Sequence, residues 1–560
     1  MNSGTKSQYS KQQLQTDSES QSHSKTRFIF VTGGVLSGLG KGVVSASMAK
    51  LLDPSLKVAM VKCDGYLNVD PGTMNPIEHG EVFVLDDGGE CDLDFGHYER
   101  FLDITCQKSW SISSGKVFQA LVRKERRGDF LGKTVQVIPH ATGEIREQLM
   151  TIAQNANADV VFVEVGGTVG DLENPWFLWA AKEMRQRLGK KRVAFAHLGL
   201  LPVIDEQGQQ KTKPMQQSVM LLQQFGIFPD ILVGRSKEVL TESSRNKLHW
   251  LCNVSQEAIV SDPNLTSVYE LPLIFAQEGL GNVLHEQLDL PIATSHERWR
   301  ELVTNILNSE REITIAICGK YTELADSYIS VVEALYHSGA HLQTRVNVKW
   351  LETSQFEAVS EEVIAAALAG VSGIIVPGGF GTRGAEGKIA LIKFAREHNI
   401  PFLGICYGLQ LAVIEYARNI CGIVDANSQE IDPQTQNPVI HILESQKEVT
   451  QKGATMRLGS YPAILKPGVV SDLYAHILGS GVECAERHRH RYEVNQAYHT
   501  ILTENGLYIS GMSPDGTLVE FIELPNHPYF VATQAHPELK SRLEKPAPLF
   551  YGLVKAALGR

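Results

Sequence analysis

The chain has 560 residues, 43% of them apolar and 21% charged, a composition typical of a folded protein with two to four domains. Its formal net charge of −11 argues against nucleic-acid binding by bulk electrostatics, and no apolar run is long enough to span a membrane, so we expect neither partner. The eight cysteines are scattered without a C-x-x-C pair, which predicts reduced thiols in the cytoplasm and neither a disulfide framework nor a zinc site.

The first 26 residues are rich in Ser, Gln and Lys and contain no apolar stretch, so residues 1–26 are predicted to be a disordered extension and not a signal peptide. The sequence then becomes apolar at RFIFVTGG (27–34). Further short apolar runs, separated by helix-like stretches, occupy residues 58–63, 160–167, 192–203 and 230–235. This alternation predicts a mostly parallel sheet with helices on both faces.

A second series of apolar runs occupies residues 313–321, 372–380, 400–408 and 529–538. We therefore predict an α/β protein with two doubly wound domains, each built on a mostly parallel sheet. The predicted boundaries are a first domain over 27–290, a linker with one amphipathic helix over 291–311, and a second domain over 312–557. Ligands are expected at the carboxyl ends of the strands in both domains.

A glycine-rich turn, SGLGKG, separates the first strand from the first predicted helix. Backbone N–H groups at such a turn cradle phosphates, and a lysine reaches further along a triphosphate. The strict phosphate-loop pattern fails here because Val35 and Gly42 occupy its outer positions, so a turn without a phosphate role stays an alternative. The candidate ATP-binding residues of this turn are Gly38, Leu39, Gly40, Lys41 and Gly42.

Carboxylates elsewhere in the chain are needed to bind Mg²⁺, because this turn lacks the hydroxyl residue that holds the metal in strict phosphate loops. Asp94 and Glu164 are the candidates, and Asp94 is also a candidate ATP contact. The alternative for Asp94 is a solvated loop acid. For Glu164, within the apolar run VVFVEV, that alternative is weaker, since a buried carboxylate costs free energy unless it is paired.

A thiol nucleophile is predicted in the second domain at GICYG (404–408), where an apolar strand meets a helix. The flanking glycines allow a sharp turn, and the helix N-terminus favours the thiolate of Cys406. Downstream, HPE supplies His536 to take the thiol proton and Glu538 to orient the imidazole. A lone cysteine after an apolar strand more often has a packing role, and a lone His-Pro-Glu is more often a simple turn. Together and in this order, the two motifs favour nucleophilic catalysis.

The motifs IVPGGFGTRG (375–384), GICYGLQ and QAHPE resemble those of class I glutamine amidotransferases. The resemblance implies that Cys406 attacks the carboxamide of L-glutamine, forms a glutamyl thioester and releases ammonia. Backbone N–H groups at Gly379 and Tyr407 would form the oxyanion hole. The implied glutamine-binding residues are Gly379, Tyr407, Gly408, Leu409, Gln410, Glu430 and Arg491. Many relatives read C-L-G-M-Q, whereas this chain has Tyr407 and Leu409 at the variable positions.

Long blocks of the first domain, including residues 62–101, 134–140, 163–173, 211–219 and 244–254, are similar to the CTP synthase family. With the amidotransferase motifs, the resemblance extends over residues 27–555. It implies an N-terminal phosphate-loop-like amidoligase and a C-terminal class I glutaminase. The implied reaction is ATP- and Mg²⁺-dependent amination of UTP to CTP through a 4-phosphorylated UTP intermediate.

The resemblance also carries residue roles onto the first domain. Leu265 would contact the adenine of ATP. His79 and Val82 would lie where an ammonia passage meets the UTP site, since ammonia must avoid protonation by bulk water. The implied UTP and CTP contacts are Ser37, Gln136, Asp171, Leu172, Glu173, Lys211, Thr212, Lys213, Pro214, Met215, Gln216 and Lys247. Without the family, the lysines of KTKP would be an ordinary surface charge cluster.

Regulation and assembly follow from the same resemblance. It implies GTP activation through a lid at 441–459, whose contact residues we do not assign, feedback inhibition by CTP, and a homotetramer compatible with filament formation. One alternative function is another amidotransferase that makes a purine nucleotide or carbamoyl phosphate, against which KTKPMQ and residues 62–101 argue. The other is a non-catalytic filament protein, against which the retained Cys406, Lys41 and Glu164 argue.

Overall fold

The computed structural model describes residues 25–74, 80–204, 208–320, 325–442 and 456–559. The chain divides into two compact units, each described separately. The N-terminal unit falls within Met1–Val69, Ser109–Leu265 and Leu271–Thr294, and the C-terminal unit within Asp70–Lys108, Thr266–Glu270 and Ser295–Arg560. The boundaries predicted from the sequence (27–290, 291–311 and 312–557) stay a prediction. The extension predicted over 1–26 lies outside the described residues up to residue 24.

The strands of the described residues are numbered in chain order. They are β1 Arg27–Gly33, β2 Val58–Asp64, β3 Phe83–Val84, β4 Glu90–Cys91, β5 Ser111–Ser113, β6 Val160–Val165, β7 Val193–Leu200, β8 Ile231–Arg235, β9 Ile259–Asp262, β10 Arg311–Gly319 and β11 Thr344–Glu352. They continue with β12 Gly373–Val376, β13 Phe402–Ile405, β14 Asn427–Ser428, β15 Pro438–Ile442, β16 Arg457–Leu465, β17 Glu483–His490, β18 Tyr492–Val494, β19 Tyr508–Met512, β20 Val519–Glu523 and β21 Phe530–Thr533.

The α-helices of the described residues are numbered in the same way. They are α1 Lys41–Lys50, α2 Asp94–Leu102, α3 Ser114–Arg127, α4 Thr142–Asn155, α5 Pro175–Leu188, α6 Lys213–Gln224, α7 Glu242–Cys252, α8 Leu271–Gln277 and α9 Leu280–Leu288. They continue with α10 Glu297–Asn308, α11 Ile329–His341, α12 Glu361–Ala367, α13 Ala385–Glu397, α14 Tyr407–Asn419, α15 Val469–Leu478, α16 His499–Glu504 and α17 Pro548–Leu558. None of these described helices has the length and apolar character that crossing a membrane requires.

The N-terminal unit is built on a seven-stranded sheet in the order β5-β2-β6-β1-β7-β8-β9. All of its pairings are parallel. The central strands are almost entirely buried, as apolar runs such as Val160–Val165 predict for a sheet covered on both faces. Strand β1 pairs with β6 on one side and β7 on the other, so the turn that follows β1 opens at the carboxyl edge of the sheet.

The C-terminal unit contains a nine-stranded sheet in the order β11-β10-β12-β13-β21-β20-β19-β16-β17. The pairings from β11 to β21 are parallel, and those from β21 to β17 are antiparallel. Apolar side chains of its strands and helices form two cores, one containing Leu409 and Phe402, the other Leu403 and Phe550. The α/β layout of both units, with an all-parallel sheet in the N-terminal unit, confirms the predicted fold class. The C-terminal sheet is mixed, because its strands from β21 to β17 pair antiparallel.

Candidate active sites

The nucleophile turn lies where β13 ends and α14 begins, both in the C-terminal unit. Cys406 occupies this turn with φ 53° and ψ −100°, an unusual backbone conformation for a non-glycine residue. A Cβ added at Gly408 would lie 2.1 Å from the carbonyl oxygen of Val376, and one at Gly404 would lie 2.9 Å from the Cβ of Ala532. Both flanking positions of the G-x-C-x-G pattern therefore require glycine for close packing.

His536 and Glu538 follow β21, the parallel neighbour of β13, so the topology brings them to the same edge as Cys406. The Nδ1 of His536 lies 2.7 Å from the Oε1 of the buried Glu538. Burial alone would lower the pKa of His536. The negative charges of Glu538 and of the Cys406 thiolate, with hydrogen bonds to both, outweigh burial and hold that pKa well above its usual value. This is the arrangement of a nucleophile, base and orienting acid.

Two further groups lie beside the thiol. The Nε2 of Gln534 is 3.7 Å from the Sγ of Cys406, and the carbonyl oxygen of Arg489 is 4.0 Å from it. Gln534 was not predicted as a site residue, although it lies two residues before His536 in the QAHPE motif. Its side chain is fully buried and is positioned to fix the thiol orientation.

A cavity of about 700 Å³ in the C-terminal unit connects the triad with several predicted glutamine contacts. Its walls include Cys406, His536, Glu538, Gly379, Gln410, Glu430 and Arg491. Gln410 donates from Nε2 to the carbonyl oxygen of Tyr492 (3.0 Å), and its buried Oε1 has no hydrogen-bond partner among the described residues. The Oε1 of Glu430 accepts a hydrogen bond from the backbone N–H of Gly381 (2.9 Å), and burial raises the pKa of this carboxyl.

The other predicted glutamine contacts differ in how their side chains are placed. Leu409 is fully buried in the hydrophobic core, and its backbone N–H donates to the carbonyl oxygen of Cys406 (3.1 Å). Tyr407 is also buried, and its hydroxyl donates to the carbonyl oxygen of Gly381 (2.7 Å). The ammonium group of Lys388, which the sequence did not mark, lies 5.1 Å from the Tyr407 ring centroid. Burial lowers the pKa of Lys388 to about 8.

The cavity wall also contains residues from far earlier in the chain, namely Glu81, Val82 and Val84. Val82 is one of the two residues predicted at an ammonia passage, and the other, His79, lies outside the described residues. Glu81 accepts a hydrogen bond from the hydroxyl of Ser330 (2.5 Å). Burial raises the pKa of Glu81 to about 7 in spite of that hydrogen bond and the nearby charge of Arg100.

The glycine-rich turn of the N-terminal unit connects β1 to α1. Gly38 and Gly40 have φ of 72° and 94°, and Val35 has φ of 77°, so the turn depends on left-handed backbone conformations. Lys41 begins α1 and donates from Nζ to the carbonyl oxygen of Gly167 (2.9 Å). Residues 35–38 are exposed, which is compatible with a phosphate-binding turn.

The two predicted metal ligands lie in different units. In the N-terminal unit, Glu164 on β6 is buried and pairs with the equally buried Lys62 on β2 (Nζ to Oε1, 2.8 Å). This partner, which the sequence analysis did not identify, satisfies the expectation that a carboxylate in an apolar strand must be paired. In the C-terminal unit, Asp94 is the first residue of α2, and its backbone N–H donates to Asp92 (3.0 Å).

The predicted pyrimidine-nucleotide contacts are distributed over the surface of the N-terminal unit. The exposed members are Ser37, Gln136, Asp171, Leu172, Glu173, Lys213 and Lys247. Lys211, Pro214 and Gln216 are half-buried at the start of α6, and Leu265, predicted to contact adenine, is also half-buried. Thr212 and Met215 are buried. These nucleotide contacts stay a prediction.

Comparison with known proteins decides the family. Residues 27–290 match the family described as "CTP synthase N-terminus", and residues 323–556 match "Glutamine amidotransferase class-I". The chain is 52% identical to the CTP synthase of Methanococcus maripaludis over 538 residues, which cover 95% of this chain and 99% of that protein. The chain belongs to the CTP synthase family. This result confirms the predicted resemblance.

Other relatives agree in name and extent. The CTP synthase of Methanocaldococcus jannaschii is 50% identical over 538 residues, or 95% of this chain and 98% of that protein. Among solved structures, the glutaminase domain of a Trypanosoma brucei CTPS with bound acivicin is 37% identical, covering 44% of this chain and 94% of that chain with a TM-score of 0.41. In this CTP synthase family member, the triad lies within the region that matches the amidotransferase family. Of the other cavity residues, Glu81, Val82 and Val84 lie within the region that matches the CTP synthase N-terminus, and Lys320 lies between the two matched regions.

Proposed function

We propose that the chain catalyses the ATP-dependent amination of UTP to CTP with ammonia released from L-glutamine. The observation that carries this proposal is family membership over nearly the whole chain, combined with Cys406, His536 and Glu538 meeting in one cavity. The two families matched by the halves of the chain supply one chemistry each, a glutaminase and a CTP-forming ligase.

In the glutaminase half-reaction, the thiolate of Cys406 attacks the carboxamide carbon of glutamine. The imidazolium of His536 gives its proton to the departing nitrogen, so that neutral ammonia leaves and a glutamyl thioester remains. Glu538 holds the imidazole in one orientation through its 2.7 Å contact with Nδ1. Backbone N–H groups of Gly379 and Tyr407 are assigned to the oxyanion, and Gln410, Glu430 and Arg491 to the charged end of glutamine.

In the ligase half-reaction, the γ-phosphoryl group of ATP is transferred to O4 of UTP, and ammonia then displaces phosphate at C4. Lys41 is assigned to the triphosphate, close in sequence to the exposed residues 35–38. Asp94 and Glu164 are each assigned to Mg²⁺ from the family, and each offers carboxylate oxygens, the donors that Mg²⁺ prefers. Mg²⁺ would neutralise charge on the phosphates. Leu265 is assigned to the adenine.

An ammonia passage is assigned to His79 and Val82. The presence of Val82 in the wall of the triad cavity supports this assignment, because ammonia released at Cys406 enters a space that Val82 lines. Two ionisable residues, Glu81 and Arg489, line the same cavity. Their polar side chains are compatible with an ammonia passage, because ammonia forms hydrogen bonds with polar groups.

Assembly and regulation are proposed from the family. A cytoplasmic homotetramer is assigned from the family, and formation of filaments from such tetramers is compatible with it. Activation by GTP, assigned to the lid at 441–459, falls mostly on residues 443–455, which lie outside the described residues. Inhibition by CTP is assigned to the predicted pyrimidine-nucleotide contacts.

One assay tests the proposed function. Protein is supplied with UTP, ATP and Mg²⁺, and the nitrogen source is either glutamine or ammonium chloride. Wild type should form CTP from both sources, whereas Cys406→Ala should form CTP from ammonium chloride alone. The change in the pyrimidine absorbance spectrum distinguishes CTP formation from the reaction of any other amidotransferase. Consumption of glutamine and ATP without that spectral change would contradict the proposal.

A further inference from the structure

Strand β17 provides part of the wall around the catalytic pair Cys406 and His536. The carbonyl oxygen of Arg487 accepts a hydrogen bond from the backbone N–H of His536 (2.7 Å), and the carbonyl oxygen of Arg489 lies 4.0 Å from the Sγ of Cys406. β17 is the edge strand of its sheet and pairs there only with β16 within the described residues. Its free edge therefore needs another anchor if these two carbonyl groups are to stay in place.

The side chain of Arg487 supplies such an anchor. Arg487 and Glu99 are both 0% exposed, and they form a bidentate pair with Nη1 to Oε2 at 2.8 Å and Nη2 to Oε1 at 3.0 Å. The Oε2 of Glu99 also accepts from Arg542 (2.6 Å), which lies just beyond the segment containing His536. Glu99 is fixed in turn by the backbone N–H of Cys106 (2.8 Å). Bidentate charge-assisted pairs of this kind fix orientation as well as distance.

A second ion pair anchors β17 two residues further along. The Nε and Nη2 atoms of Arg489 each lie 2.9 Å from the Oε1 of Glu90. Residues 487 and 489 share one face of the strand, so both guanidinium groups point the same way. The loop between β3 and β4 also docks on β16, where the N–H of Ser460 donates to the carbonyl oxygen of Asp86 (2.9 Å).

Glu90 and Glu99 both come from residues 80–108, almost 400 positions before β17 in the sequence. This segment belongs to the C-terminal unit, although it precedes the predicted boundary near residue 290. Glu99 lies on α2, five residues after Asp94, which is assigned to ATP and Mg²⁺. A helix assigned to the ligase reaction is thus tied by a buried ion pair to the strand beside the glutaminase pair.

We infer that Glu99 is a positioning residue for the glutaminase half-reaction, which it serves by holding edge strand β17 against Cys406 and His536 through Arg487. This inference rests on the proposed function for the identity of that half-reaction. Loss of the Glu99 charge leaves Arg487 and Arg542 without their shared carboxylate. Arg487 then keeps its contact with the partly exposed Asp86 (Nε to Oδ1, 2.5 Å) and a hydrogen bond to the carbonyl oxygen of Leu539 (3.2 Å), but β17 loses its bidentate anchor. A displacement of about 1 Å at reacting groups costs on the order of 100-fold in rate.

The test measures glutamate release from glutamine for Glu99→Gln, Glu90→Gln and a matched control. The control is Glu415→Gln, because Glu415 is fully buried and forms a bidentate pair with Arg396 (Nε 3.2 and 3.0 Å from its two oxygens) elsewhere in the same unit. Glu99→Gln should lower kcat at least about 10-fold while KM for glutamine changes less than about two-fold. Glu90→Gln should lower kcat less, because Arg489 is partly exposed.

Controls separate positioning from general destabilisation. Glu415→Gln should lower the thermal midpoint comparably but keep wild-type kcat, and CTP formation from ammonium chloride should survive in all three variants. Equal kcat in Glu99→Gln and wild type would overturn the inference, as would equal losses with Glu415→Gln or a parallel loss of the ammonia-dependent reaction. If Glu99→Gln does not fold, Glu90→Gln decides by the same criteria. Wild type that hydrolyses glutamine but makes no CTP would refute the proposed function, and the comparison of glutamate release between the variants would still test the role of Glu99.

Discussion

Replacement of Glu538 by glutamine tests the triad most sharply. Glu538 is buried, its Oε1 lies 2.7 Å from the Nδ1 of His536, and its Oε2 has no hydrogen-bond partner among the described residues. The imidazolium of His536 is therefore the charge that compensates this carboxylate. In Glu538→Gln the pKa of His536 should fall towards its ordinary value, because the largest favourable charge is gone.

The magnitude follows from the contact that is lost. A charge-assisted hydrogen bond contributes about 1.5–3 kcal/mol, and about 1.4 kcal/mol corresponds to ten-fold in rate, so orientation alone predicts a loss of about 10- to 150-fold in kcat. The side-chain amide introduced by Glu538→Gln can also stabilise the wrong tautomer of the His536 imidazole, which extends the upper limit of the loss in kcat to about 10⁴-fold. CTP formation from ammonium chloride should be unchanged.

The assay is glutamate release under saturating glutamine, together with the rate of Cys406 alkylation by iodoacetamide between pH 6 and pH 9. With a weaker imidazolium beside it, Cys406 should be alkylated more slowly at neutral pH than in wild type. A kcat within about two-fold of wild type, or an unchanged alkylation profile, would refute the assigned role of Glu538.

Three further variants extend the account. Val82→Phe should lower the amount of CTP formed per glutamate released, while CTP is still formed from ammonium chloride. An equal loss of CTP formation with both nitrogen sources would contradict the assignment of Val82 to an ammonia passage. The free energy of unfolding of Glu81→Gln, relative to wild type, should rise by about 3 kcal/mol between pH 4.5 and about pH 7, as measured by urea unfolding. The reason is that the raised pKa of Glu81 makes its ionisation destabilising in the folded wild type. A difference that does not change with pH would contradict this. Gly408→Ala should destabilise the protein by about 1–3 kcal/mol and impair glutaminase activity, because the added Cβ would lie 2.1 Å from the carbonyl oxygen of Val376. Wild-type activity and stability in this variant would show that α14 can shift to make room.

Local patterns predicted much of what the structure contains. Apolar runs such as residues 160–165 and 402–405 form central parallel strands, as their continuous hydrophobicity indicates. The glycines around Cys406 are needed for close packing, and the spacing of His536 and Glu538 matches a direct contact between them. The strand runs and the spacing of His536 and Glu538 depend on residues close in sequence, so a single sequence carries them. The two glycines mark the tight turn in the sequence, but the atoms they approach belong to the distant Val376 and Ala532.

Ion-pair partners that are distant in the sequence could not be predicted from sequence patterns. Glu164 needed a counter-charge, but only strand pairing identifies Lys62, about 100 residues away, as that partner. Nothing in residues 80–108 indicates that Glu99 pairs with Arg487. The basic stretch around β17 looks like a solvated surface by composition, whereas Arg487 is fully buried. Side-chain pairing between distant elements is set by tertiary packing and not by local propensity.

Transfer of nitrogen between the two half-reactions is the central claim, and isotope labelling measures it directly. Wild-type protein is given UTP, ATP, Mg²⁺ and glutamine labelled with ¹⁵N in its side-chain amide, and the pyrimidine product is analysed by mass spectrometry. The account predicts CTP that carries the label at its 4-amino group, with one glutamate formed for each CTP. Unchanged UTP beside released labelled ammonia would contradict it.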